Sequence, residues 1–134
     1  MPPSGEASFE LPRDPYHVLV SRGPEYSIHP NDYPASPGAL MDLTAADASL
    51  DAELAHVLDT TGFVSADFHV HAVFSSDSTV DNLSRVETFA AEGVDLLVAT
   101  DHDYLTDMRP FIEELGATHL VATLVGGEIS TLDF

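Results

Sequence analysis

The chain has 134 residues, 44% of them hydrophobic, with 23 acidic residues against four arginines and a formal charge of -19. That length suits one ordinary domain and is short for two well-cored ones. The charge leaves no basic patch to neutralise phosphates, which excludes nucleic acid and disfavours anionic membranes as partners, and with no cysteine there are neither disulfides nor thiolate metal sites.

No run approaches the roughly 18 apolar residues of a transmembrane helix, and residues 1–10 lack the basic start and apolar run of a secretory leader. The sequence as it stands reads as soluble and cytoplasmic, or as secreted or periplasmic if a longer product carries a leader. The acidic surplus suits a solvated, salt-adapted surface, and some of its carboxylates can also hold cations.

All but one of the nine prolines fall in the first 40 residues. Within them Tyr16–Val20 reads as a short strand, residues 21–25 as a turn and Tyr26–Ile28 as a return. In residues 48–58, Leu50, Leu54, Val57 and Leu58 fit a helical period, while Leu50, Ala52 and Leu54 alternate as in a strand. Residues 1–60 are thus a Pro-rich region of strands and loops, distinct from an α/β domain at 61–134.

From Thr61 the pattern sharpens. Phe63–His71 reads as a strand and Ala72–Ser78 as a polar loop. Ser78 or Thr79 is placed to cap a helix with apolar positions Val80, Leu83, Val86, Phe89 and Ala90, stopped by Gly93. Leu96–Ala99 is a continuous apolar run, as in a parallel strand buried on both faces. Met108–Leu115 reads as a second helix closed by Gly116, and His119–Val125 as a third strand. This is βαβαβ, the opening of a parallel α/β domain. Three strands with two helices leave an open edge, so the expectation is a truncated domain prone to associate through that edge.

Ligands in parallel α/β architectures bind beyond the C-terminal strand ends, and the polar residues gather there. The first strand ends in Asp67-Phe68-His69-Val70-His71, the second in Thr100-Asp101-His102-Asp103, the third in Gly126-Gly127-Glu128. Residues two apart in a strand share a face, so His69 and His71 can converge on one ion, with Asp67 beside them to fix a ring tautomer. Asp77, in the loop after that strand, is either a ligand or a helix cap. Asp101 and Asp103 flank His102 as caps for the second helix, Asp101 also as hydrogen-bonding support for the site. Two glycines before Glu128 let the backbone approach a ligand closely.

Asp-Phe-His-Val-His, Ser-Ser-Asp-Ser, Thr-Asp-His-Asp and Gly-Gly-Glu-Ile together resemble the first three motifs of the PHP (polymerase and histidinol phosphatase) superfamily, closest to its CehA/McbA-type metallohydrolase branch. The resemblance covers about residues 60–134. It implies the first three βα units of a distorted (β/α)7 barrel, preceded by a β-rich region, which favours a strand at 48–58. It also implies a cluster of two or three divalent ions of Zn, Mn or Fe type. His69 and His71 would hold one ion, Glu128 would bridge to a second, and Asp77 with His102 would serve a third. The family's later histidine and Asp-x-His motifs have no counterpart in these residues. His17, His29, His56 and His119 match no motif and read as ordinary surface or core residues.

The implied activity is hydrolysis of a small phosphoester, or of a carboxylic ester, amide or carbamate, by metal-activated water. The lack of lysine tilts the choice towards a neutral substrate. With the later motifs missing, this chain by itself is expected to turn over little. The competing reading is a non-catalytic acidic module that binds metal or a partner.

Overall fold

The computed structural model describes residues 4–131; residues 132–134, the end of the expected second domain, lie outside them. Contacts divide the chain into two units, one of Ser8–Thr61 and one containing the described residues from Gly62 onward together with residues 4–7.

In the first unit, β1 (Pro15–Val18) pairs antiparallel with β2 (Ala39–Asp42), Tyr16 opposite Met41 and His17 opposite Leu40. The expected return at Tyr26–Ile28 is not the partner of β1. That stretch and its neighbours make only isolated bridges, Val20 with His29 and Tyr26 with His56. What admits β2 instead is Gly38: at φ 130°, a Cβ there would stand 2.8 Å from the Val18 carbonyl oxygen. Residues 48–58 form neither helix nor strand beyond the bridge at His56, held by Val57 N–H to Glu25 O (2.8 Å) and Ser27 N–H to Ala55 O (2.8 Å). Val57 and Leu58 are exposed, so neither periodicity has a surface to bury its apolar side chains against.

The second unit is a mixed α/β layer. β3 (Ala66–Val70), β4 (Leu96–Ala99) and β5 (Ala122–Val125) form a parallel sheet in that spatial order, joined by α1 (Asn82–Glu92) and α2 (Arg109–Glu114). β4 is central because it is the strand apolar on both faces. Its Leu97 and Ala99 face both helices in one core with Val70, Val86, Ala90, Met108, Ile112 and Val121. Each of the larger of these side chains, Val, Leu, Ile or Met, contributes about 1.5–3 kcal/mol when fully buried. The two outer strands are shorter than the sequence pattern suggests. Phe63 and Val64 are exposed ahead of β3, and residues 118–120 form a turn ahead of β5. On the sheet face away from the helices, Leu124, paired with Val98, is left exposed.

The helix boundaries correct two expectations. α1 starts after Asp81, whose carboxylate accepts the Ser84 N–H at 2.9 Å, rather than at Ser78 or Thr79. The Ser78 hydroxyl is turned to the His71 carbonyl instead, at 3.4 Å. Gly93, at φ 74°, ends the helix as expected. α2 opens with Pro110 in its first turn and has no side-chain cap, so neither Asp101 nor Asp103 serves it. The Arg109 N–H is met by Asp107 Oδ1 at 3.0 Å.

Candidate metal centre

The sheet brings three strand ends to one place. The Val70 carbonyl at the end of β3 accepts the Thr100 N–H (2.7 Å). Past the ends of β4 and β5 the pairing continues through a single parallel bridge between His102 and Glu128. Glycine is required between β5 and Glu128: a Cβ on Gly126 would lie 2.6 Å from Ala99 O, and one on Gly127 2.8 Å from Tyr104 O.

Beneath the site sits Asp101, fully buried, its carboxylate accepting the Ala72 N–H (2.6 Å) and the Thr106 hydroxyl. Its own carbonyl accepts the Glu128 N–H at 3.1 Å. One aspartate therefore ties the residue after His71, the loop after His102 and the backbone of Glu128 into one frame. Asp101 touches no ligand ring; it supports the backbones that carry them.

His69 Nε2, His71 Nε2 and Glu128 Oε2 form a triangle with sides of 3.0 Å (His69–His71), 2.9 Å (His71–Glu128) and 3.1 Å (His69–Glu128). Glu128 Oε2 is buried, and close as the rings are, none lies in hydrogen-bond geometry to it. Imidazole and carboxylate ligands at about 2.0–2.2 Å from a divalent ion stand about 3.3–3.6 Å apart at the tetrahedral angle and about 2.8–3.1 Å apart at right angles. The triangle fits such an ion, and an orphaned carboxylate oxygen among convergent ring nitrogens is what an ion would satisfy.

A second group lies on the other side of His71. Asp77 Oδ1 accepts the Ser75 hydroxyl (2.7 Å) and is 2.9 Å from His71 Nδ1; Asp77 Oδ2 is 3.6 Å from His102 Nε2. His71, Asp77 and His102 also could hold a metal ion, so two overlapping clusters share the His71 ring. His102 Nδ1 is 2.7 Å from the Ser130 hydroxyl. The hydrogen bond to Asp77 holds the His71 ring above its ordinary pKa against the opposing effect of burial, with the Glu128 carboxylate adding to it. The Ser75 hydroxyl and then His71 bring Asp77 down to about 2.

All five expected ligands, His69, His71, Asp77, His102 and Glu128, thus gather at one edge. Asp67 does not join them. The β3–β4 register shifts between Asp67 and Val70, and the Asp67 carboxylate turns back to the His69 N–H at 3.0 Å instead of reaching an imidazole. Asp103 sits at φ 53° and accepts the Ser130 N–H. Sequence reasoning missed Ser75, which is buried and touches His71, Asp77 and the His102 N–H (3.2 Å) at once. Beside the centre, Phe74 and Tyr104 stack at 4.6 Å between ring centroids, from the loops after β3 and β4.

No family profile, curated protein or solved structure matches this chain. No helix among the described residues is long and apolar enough to cross a membrane.

Proposed function

We propose that this chain carries the metal-holding part of a hydrolase site of the PHP type, with the three-stranded sheet as the opening of a larger barrel. The observation that supports it best is the His69–His71–Glu128 triangle with its orphaned carboxylate oxygen, at the C-terminal edge of a parallel sheet. A divalent ion bound there supplies Lewis acidity and water activated near neutral pH.

The chain's own part is to fix the ion and shape the approach to it. His69 is the outermost ligand, its side chain 67% exposed against 17% for His71, so a substrate reaches the centre past His69. The Phe74–Tyr104 stack and exposed Leu105 and Ile129 line that edge with apolar surface. Within this unit, Arg109 is held by Asp107 (2.6 Å), and Arg85 reaches towards Ser78 (3.5 Å). Apolar surface with no arginine aimed at the triangle favours a neutral ester, amide or carbamate over a phosphoester.

The test is hydrolysis by the zinc- or manganese-loaded chain of p-nitrophenyl acetate, a p-nitrophenyl carbamate and p-nitrophenyl phosphate. The expected result is slow, metal-proportional turnover of the neutral substrates, lost in Glu128→Ala. A chain that holds metal and leaves the background rate unchanged supports the second reading, a metal-binding module without turnover. That reading draws on the two candidate clusters' sharing the His71 ring, so that the described residues do not furnish two full ligand sets.

A further inference from the structure

The His71 ring stands between two groups and can serve only one of them as a metal ligand. A neutral imidazole has one N–H and one lone pair. Ligating through both nitrogens would require losing both ring protons. Nδ1 lies 2.9 and 3.1 Å from the two Asp77 oxygens, the geometry of a donor to a carboxylate. Nε2 lies 3.0 Å from His69 Nε2, within hydrogen-bond reach, and 2.9 Å from Glu128 Oε2, which has no hydrogen-bond partner, so two metal-competent atoms converge on it.

We propose that Ser75 and Asp77 form a positioning relay for His71, so that the described residues hold one ion, through His69, His71 and Glu128, and not two. The proposal rests on the metal-site reading above. In the relay the Ser75 hydroxyl donates to Asp77, and Asp77 accepts Nδ1–H of His71, which turns the Nε2 lone pair towards His69 and Glu128. A carboxylate on the far nitrogen of a ligating histidine fixes its tautomer and raises its basicity. Ser75 also receives the His102 N–H, which anchors the relay to the β4 end. With His71 so engaged, the second cluster keeps only Asp77 Oδ2 and His102 Nε2, 3.6 Å apart, and the Asp77 carboxylate there is already an acceptor for two donors. Two side chains are too few to fix an ion.

The experiment loads the full 134-residue chain with Zn2+ alone. It measures stoichiometry by elemental analysis after desalting, affinity by chelator competition, and the His71 tautomer in the metal-free protein from ring 15N shifts. One zinc per chain is expected for the wild type. Asp77→Asn should keep that stoichiometry, weaken affinity about 10- to 100-fold, and shift His71 away from the Nδ1–H tautomer. Ser75→Ala should move both readouts the same way by less. The tautomer shift is the readout that a merely structural role for Asp77 leaves unmoved. Two zincs in the wild type, with one lost in both Asp77→Asn and His102→Ala, would overturn the relay and make those residues ligands. A wild type that binds no zinc would overturn the metal site and the relay together. Zinc bound without hydrolysis leaves the relay standing and removes only the hydrolase reading.

Discussion

The His71–Asp77 pair should pull the chain's stability and the metal affinity proposed for it in opposite directions with pH. With His71 raised above 6.5 chiefly by Asp77, its protonated form stabilises the metal-free fold below about pH 6.5, and this is lost as pH rises through the folded value. With Asp77 lowered to about 2, its ionised form stabilises the fold above its ordinary 3.8, and this is lost as pH falls through about 2. The pair's contribution in the metal-free chain is therefore greatest between about pH 4 and pH 6.5. Denaturation midpoints at about pH 5 and pH 8 should differ by more in the wild type than in Asp77→Asn. Zinc competes with the proton on His71, so zinc affinity should rise across the window where the pair's stabilisation fades, with a midpoint above 6.5 that Asp77→Asn moves down. A midpoint that Asp77→Asn leaves in place would show that Asp77 does not govern this ring. Ser75 was invisible in the sequence for a plain reason. A loop serine is common, and while His71 and Asp77 are its neighbours in sequence, the His102 N–H meets it only after β3 and β4 pair.

Each strand delivers its ligand through a local device, and the devices differ. β5 relies on close approach: Gly126 passes within 2.6 Å of Ala99 O and 2.9 Å of Val98 Cγ1, measured from where a Cβ would stand. Gly126→Ala should force the β5 end away from β4, at about 1–3 kcal/mol, the usual cost of overpacking. It should also displace Glu128, whose N–H is bonded to Asp101 O. The expected outcome is a lower denaturant midpoint at unchanged slope, with weaker zinc binding. A loss of stability with full zinc affinity would mean that the β4–β5 junction does not place Glu128. β3 relies on an irregularity instead. Its shifted register breaks the strict alternation that would have turned Asp67 towards the imidazoles, and the carboxylate beside His71 comes from the following loop.

For the chain as a whole, an ion held by the native triangle would link metal to folding, because it would stabilise the native state by mass action. Free zinc at 100 times Kd adds about 2.7 kcal/mol, which should raise the melting temperature by several degrees and be reversed by a chelator. A chain of charge -19 also attracts cations over its whole surface. The decisive comparison is therefore the His69→Ala/His71→Ala double variant, which should lose the zinc-dependent rise. An equal rise in both proteins would assign the stabilisation to diffuse surface binding.

Much of this was legible before the fold. The apolar run Leu96–Ala99, the glycine stops at 93 and 116 and the polar strand ends fixed a βαβαβ order with metal-competent residues at one edge, because burial periodicity and helix termination are local properties of the chain. The pairing of β1 with β2, the irregular state of residues 48–58 and the choice of Asp81 as cap depend on which surfaces are available to pack or bond. So does the division of labour around His71. Sequence places Asp67 two residues from His69 and Asp77 six from His71, yet it is Asp77 that reaches the ring. Register and loop path decide which carboxylate arrives within 3 Å of a nitrogen, and only tertiary structure sets these.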